Sequence, residues 1–219
     1  MKTCALVLLL IVTPLWAGDA ATFLSLGCSK DFNYYAFAQY GVQDGSGFPY
    51  AELYVVDVAQ NAFVSGGAIK ALWKEPDPLT SGVHVLLQSR VQADSLLQAY
   101  GVSEMLHMRP VVRVSEAQRT RAEWQGPQGT HRVELQQESR GEAAMLSSEA
   151  AFELQLTYAS DDTVRIGNPQ RFRDHVMRYD IDRVLANEAH TAFVFVIRKT
   201  MIGFEGPNIR YMVETVKVP

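Results

Sequence analysis

Residues 24–58 read LSLGCSKDFNYYAFAQYGVQDGSGFPYAELYVVDV, and the way they alternate decides the fold class. Ser29-Lys30-Asp31-Phe32-Asn33 is a polar cluster broken by one aromatic. Ser and Asp side chains bond backbone groups two residues on, and Asn tolerates left-handed angles, so a turn is expected at 29–33. The next run, YYAFAQY at 34–40, has the aromatic content of a strand. Tyr35, Phe37 and Gln39 share one face, and Tyr34, Ala36, Ala38 and Tyr40 share the other. Both faces are mostly apolar, which predicts a strand covered on two sides rather than one. Gly41, Gly45 and Gly47, with Asp44 and Ser46, mark a loop. A strand resumes at 51–58, AELYVVDV, with Leu53 and Val55 opposite Tyr54, Val56 and Val58.

The same order of elements returns at the C-terminus. Strands are expected at 178–185, 191–198 and 209–218, with a loop containing glycine, Phe204 and Pro207 before the last. AFVFVI at 192–197 is continuously apolar, as a central strand is. A divergent pair of blade-like repeats, at about 24–58 and 178–218, follows from this likeness. A lone hairpin is marginal in water, so the two units should be neighbours. Phe193, Phe195 and Ile197 are then expected in one core with Tyr35 and Phe37.

One helix is expected, at about 82–100. Thr80 or Ser81 caps its start and Gly101 its end, and Val83, Leu86, Ala93, Leu97 and Tyr100 form its apolar stripe. Arg90 completes that stripe, with Asp94 four residues on as a possible partner. Shorter β signals lie at 69–73, 109–115, 131–137 and 151–159, the last alternating cleanly. Residues 116–129 and 160–175 are polar and read as solvated loops, and 141–150 as a short helix or loop. The fold class expected is mainly β, with antiparallel blade-like units in a sandwich or incomplete propeller-like arrangement.

Two resemblances attach to these residues. Ser29-x-Asp31, Tyr35-Ala36-Phe37 and Leu53-Tyr54-Val55-Val56-Asp57 resemble the propeller-blade repeat of TolB-type periplasmic proteins. Lys30 stands in place of its proline, Phe32 of its glycine and Cys28 of its aromatic. The segment from Thr22 through Gly67 is also similar to the start of a family of predicted secreted bacterial proteins of unknown function, a resemblance that extends over the mature chain. It implies a compartment and brings no activity with it.

The N-terminus points to the same compartment. Met1-Lys2 is a short basic start, and residues 4–16 are apolar apart from Thr13, followed by small residues. This is the pattern of a secretory signal peptide, too short for the ~20 residues that span a bilayer. Cleavage is expected after Ala17, or after Ala20, leaving a single β-rich domain over 18–219 with no further transmembrane segment. Cys28 is the one cysteine left after cleavage, so no internal disulfide staples the domain. Because it takes a core aromatic's place, it is expected to be buried and inert.

Twenty Lys and Arg face 24 Asp and Glu, a net charge of −4, with no basic cluster along the chain. That argues against nucleic acid, whose binding rests on neutralising phosphates. His84, His107, His131, His175 and His190 show no metal-ligand spacing. Asp180 and Asp182 share one side of a strand but read as a solvated edge. No nucleophile elbow or phosphate loop is present. Neither a metal nor a cofactor is therefore expected, and no catalytic residue is assigned. The candidate binding residues are aromatics on loops, Tyr40, Phe48 and Tyr50 around the 41–50 segment and Phe204 in the C-terminal loop. The function expected is that of an exported, non-catalytic protein binding an envelope protein or a small ligand. A structural or assembly module of the envelope is one alternative, and a hydrolase whose acids meet only in the fold is another.

Overall fold

The computed structural model describes residues 18–77, 79–141 and 147–218. The expected signal peptide, and residues 142–146 of the segment read as a short helix or loop, lie outside those residues. Four strands, β1 (Thr22–Cys28), β2 (Tyr34–Val42), β3 (Pro49–Asp57) and β4 (Ala62–Leu72), pair in sequence order as one antiparallel sheet. The turn between β1 and β2 forms as its residues dictate. The Asp31 carboxylate accepts hydrogen bonds from Ser29 Oγ at 2.6 Å and from the Asn33 backbone N–H at 3.1 Å. Phe32 takes the left-handed angle, φ 56°, at the position where the blade repeat carries glycine.

The helix α1 (Gly82–Ala99) follows, then β5 (Arg109–Arg113). A second antiparallel sheet runs β6 (Arg121–Gly126), β7 (Gly129–Arg140), β8 (Glu149–Thr157) and β9 (Thr163–Asp174). A third is built from β10 (Val176–Ala186), β11 (Ala192–Met201) and β12 (Asn208–Lys217), with β5 added beside β10, in the order β12-β11-β10-β5. This last sheet is the middle layer. Ala192, Val194 and Val196 pack with Tyr35, Phe37, Tyr54 and Val56 of the first sheet. Phe193, Phe195 and Ile197 point the other way, into a core with Val133, Leu135, Phe152, Leu154 and Leu156 of the second. A strand buried on both faces has no polar side to show, hence the unbroken apolar run.

On the outer face of the first sheet, Val85, Leu86, Ala93 and Leu97 of α1 cover Ala36, Ala38, Ala51, Leu53 and Val55. The small residues let the helix lie close. At its start Gly82 meets the backbone of Gly41, where a Cβ would come within 2.6 Å of the Gly41 carbonyl oxygen. Fold class is as expected: mainly β, three antiparallel sheets and one α-helix among the described residues, without a closed barrel.

Several expectations are corrected. The two C-terminal phenylalanines and Ile197 do not join Tyr35 and Phe37; their alternate neighbours do. Residues 121–126 and 163–174 are strands rather than loops. Both are outer strands of the second sheet, and β9 buries only Ile166, so no apolar period betrays it. Pro169 is tolerated there because an edge strand spares some N–H groups and a bulge interrupts the pairing with β8. On α1 Val83 is exposed and Val85 takes its place in the buried stripe. Arg90 pairs with Glu104 at 2.7 Å, not with Asp94. Asp180 is buried rather than solvated, facing Arg178 at 3.3 Å and Arg198 at 3.1 Å.

The free edge of β12 is managed by side chains. Tyr211 N–H donates to Gln39 Oε1 at 2.7 Å, and Thr215 N–H to Asn61 Oδ1 at 2.8 Å. Further along, Ile209 N–H donates to the Asp19 carbonyl at 2.7 Å, tying the start of the described chain to its last strand. Capped N–H groups cannot template another strand. They also fix where the first and middle sheets part, and a groove opens there.

Candidate functional site

The groove runs where β12 overhangs the inner face of β2–β4, with β9 on its far rim, and encloses about 750 Å³. Its floor is laid by strand register. Gln39 stands opposite Glu52 across β2–β3, and Phe37 opposite Tyr54. The Glu52 carboxylate accepts hydrogen bonds from Gln39 Nε2 and Tyr54 Oη, each at 2.7 Å, and pairs with Lys70 at 3.5 Å. Gln39 spends its oxygen on Tyr211 N–H, so its amide is oriented from both ends. Burial, then the Glu52 charge, pushes the Tyr54 hydroxyl well above the ordinary tyrosine range. Phe63 stacks on Tyr54 with centroids 4.9 Å apart and stands 55 % exposed at the groove mouth.

The opposite wall is the β11–β12 hairpin, and its charges are arranged unusually. Lys199 and Arg210 are direct cross-strand partners, so two cations project from one side of the ladder. Arg210 is offset by a bond to the buried Asp19 carboxylate and lies over the Tyr50 ring at 4.5 Å. Lys199 has no ion pair or hydrogen bond of its side chain to any described residue. Burial depresses the Lys199 ammonium below the ordinary lysine value; Glu52 opposes that shift, and Arg173, Arg210 and Lys70 add to it.

Glu214, 6 % exposed, lines the groove from β12 and takes a hydrogen bond from Asn61 Nδ2. Burial raises its carboxyl above the usual range, against the lowering effect of Asn61, Arg173 and Arg171. From β9, Arg173 lies over the rings of Phe152 and Tyr179, at 5.6 and 5.8 Å, and donates to Tyr179 Oη at 3.3 Å. Arg171 is exposed and has no ion pair with a described residue. Lys70, Arg171, Arg173, Lys199 and Arg210 thus face Glu52 and Glu214, a cationic groove in a chain of net charge −4.

A second depression of about 790 Å³ follows β5, β6 and β7. Its charges stand open to solvent: Arg121 pairs with Glu134 at 2.6 Å, Arg132 pairs with Glu123 at 2.8 Å, and Arg113 is exposed, so none is a buried charge in need of a partner. Among the described residues no three His, Cys, Asp or Glu converge as a metal site.

The loop aromatics do not gather. Tyr40 packs at the margin of the core under α1, on the face of the first sheet away from the groove. Tyr50 is 4 % exposed, its hydroxyl donating to Asp19 Oδ1 at 3.1 Å, so it supports Arg210 from beneath. Phe48 is half-buried and Phe204 is 89 % exposed. The two loops that carry them do meet, with Glu205 N–H donating to Asp44 Oδ2 at 2.9 Å. The groove residues Glu52, Lys199, Glu214, Arg171 and Arg173 escape sequence reasoning. Their only local signal is a charge inside, or at the end of, an otherwise apolar strand, as Glu52 has in AELYVV and Lys199 has after AFVFVI.

A family model described as "Predicted secreted protein (DUF2259)" matches residues 36–217. Among curated proteins none matches the chain. No helix of the described residues is long and apolar enough to cross a membrane.

Proposed function

Since the chain belongs to that family of predicted secreted proteins, its work is done after export, and we propose that it is a non-catalytic binding protein. Its groove takes a small anionic ligand, a carboxylate or phosphate compound. One observation carries the reading. Lys199 is held half-buried, directly opposite another cation, with no counter-ion of its own. A charge kept from water normally finds a partner, and a ligand anion would supply it. The Glu52–Gln39–Tyr54 network keeps the floor rigid, so little ordering is spent on binding. We further read residues 24–58 and 178–218 as divergent copies of one blade-like unit, which places the groove between equivalent sheets.

Calorimetric titration with citrate and with inorganic phosphate, at low and high salt, tests this. Wild-type protein should bind one of them with an affinity that falls as salt rises, and Lys199→Gln should weaken that binding at least tenfold. Equal affinity in the variant would overturn the assignment.

A second reading, hydrolysis, draws support from Glu52 and Glu214 lining one groove with Glu214 pushed toward its neutral form. A glycosidase needs one carboxyl protonated and the other ionised. Against it, the Glu52 oxygens are already committed to Gln39, Tyr54 and Lys70. Hydrolysis predicts turnover of nitrophenyl glycosides that Glu214→Gln abolishes; the binding reading predicts no turnover in either protein.

A further inference from the structure

Far from the groove, at the end of the second sheet, Trp124 and His131 face each other across β6 and β7. Their rings stack with centroids 5.5 Å apart at 21°. His190, in the turn between β10 and β11, brings its ring to 5.5 Å from that of His131. Phe193 closes one side, 5.4 Å from His131 and 6.0 Å from His190, and Tyr158 another, 6.3 Å from His131.

His131 is 3 % exposed, and neither of its ring nitrogens has a hydrogen-bond partner. The same holds for His190 Nδ1 and Trp124 Nε1, so four buried ring nitrogens stand unpartnered in one place. Buried polar groups are nearly always bonded, and a group of exceptions points to something held there. Two of the four are aimed at one spot. His190 Nδ1 and His131 Nε2 lie 2.5 and 2.6 Å from the point a Cβ would occupy at Gly126. Glycine at 126 leaves these nitrogens facing across a gap that any larger residue would fill.

The donors select the ion. Neutral imidazole is a ligand for copper and zinc. Zinc takes four ligands, often with thiolate or carboxylate to offset its double charge. This cluster offers two imidazoles, with aromatic walls around them. A low charge and a low coordination number fit such a place.

We propose that His131 and His190 form a two-nitrogen site over Gly126 for a soft monovalent metal ion, Cu(I). Burial holds both imidazoles toward the neutral, ligating form, since it lowers their tendency to protonate. His190 is half-buried and on a turn, so it is the member that admits the ion.

The test uses the exported chain carrying Cys28→Ala, which removes the competing thiol. Ag(I), a redox-inert ion of the same charge, is titrated against tryptophan fluorescence, and Cu(I) against a chromophoric chelator under anaerobic reducing conditions. One equivalent should bind and quench Trp124, and His190→Ala should weaken binding at least tenfold while melting as a folded protein. Gly126→Ala, which fills the gap, should weaken it comparably. Unchanged affinity in both variants overturns the site. Failure of the parent to bind one equivalent also overturns it, and the nitrogens then hold water. Tighter binding of Zn(II) than of Ag(I) would overturn the choice of ion.

Discussion

Lys199→Gln should make the unliganded protein more stable, although it removes a strand residue's charge and leaves every hydrogen bond of the fold in place. The cross-strand partner of Lys199 is Arg210. Like charges directly opposite on an antiparallel ladder cost roughly 0.2–1 kcal/mol relative to neutral pairs. Arg210 is compensated by Asp19, whereas among the described residues the carboxylate acting on Lys199 is Glu52, already engaged by Lys70. Partial burial of Lys199 places the gain near the upper end, about 0.5–1 kcal/mol, or about 1–4 °C in Tm for a chain of this size. Urea and thermal unfolding in ~0.01 M salt would measure it, and the gain should shrink in ~1 M salt, where the screening length falls to about 3 Å. Arg210→Gln should act the other way. Its Asp19 partner has a side chain only 2 % exposed, and stranding a buried charge costs about 3–5 kcal/mol. A Lys199→Gln protein less stable than wild type, or a gain indifferent to salt, would refute the uncompensated-cation argument and remove the main support for an anion site.

Phe195→Ala should cost about 3–5 kcal/mol in urea unfolding, because the ring is fully buried between the middle and second sheets. Groove binding of citrate or phosphate should survive that change in the folded fraction. For pH, the folded-state pKa values of His131 and His190 are both lowered by burial, so the unfolded chain takes up these protons first. Stability from this pair is therefore fully present above about pH 6.5 and falls as pH drops below it. Unfolding curves at pH 7.5 and 5.5 would show it, and His131→Phe should flatten the dependence; an unchanged slope would count against a neutral buried pair. Cys28, fully buried with Sγ donating to the Leu106 carbonyl at 3.2 Å and its thiol raised to about 11, should react with maleimide only on unfolding. Rapid native labelling would contradict that environment.

What the sequence determined by itself is local or periodic. Ser29, Asp31 and Asn33 specify a turn through bonds no more than a few residues long, and the turn is found. Tyr35 to Gln39 and Ala192 to Ile197, apolar on both sides, specify strands with two covered faces, and both lie between layers. Ser81 and Gly101 bracket a helix where one forms, Ser81 N–H bonding His84 Nδ1 at 3.1 Å and Gly101 taking φ 62°. Period two says that alternate residues face opposite ways, but not which sheet waits on which side, so Phe193, Phe195 and Ile197 could not be assigned to the second sheet in advance. That sheet was itself half hidden, because β6 and β9 carry too few buried side chains to write a period into the chain. The groove lay further out of reach. Glu52 and Lys199 belong to different sheets, Arg173 to a third, and Asp19 reaches Arg210 across nearly the whole chain. A charge reads as an ordinary surface residue until packing takes its solvent away and sets its neighbours, and only the stacking of three sheets did that for Lys199.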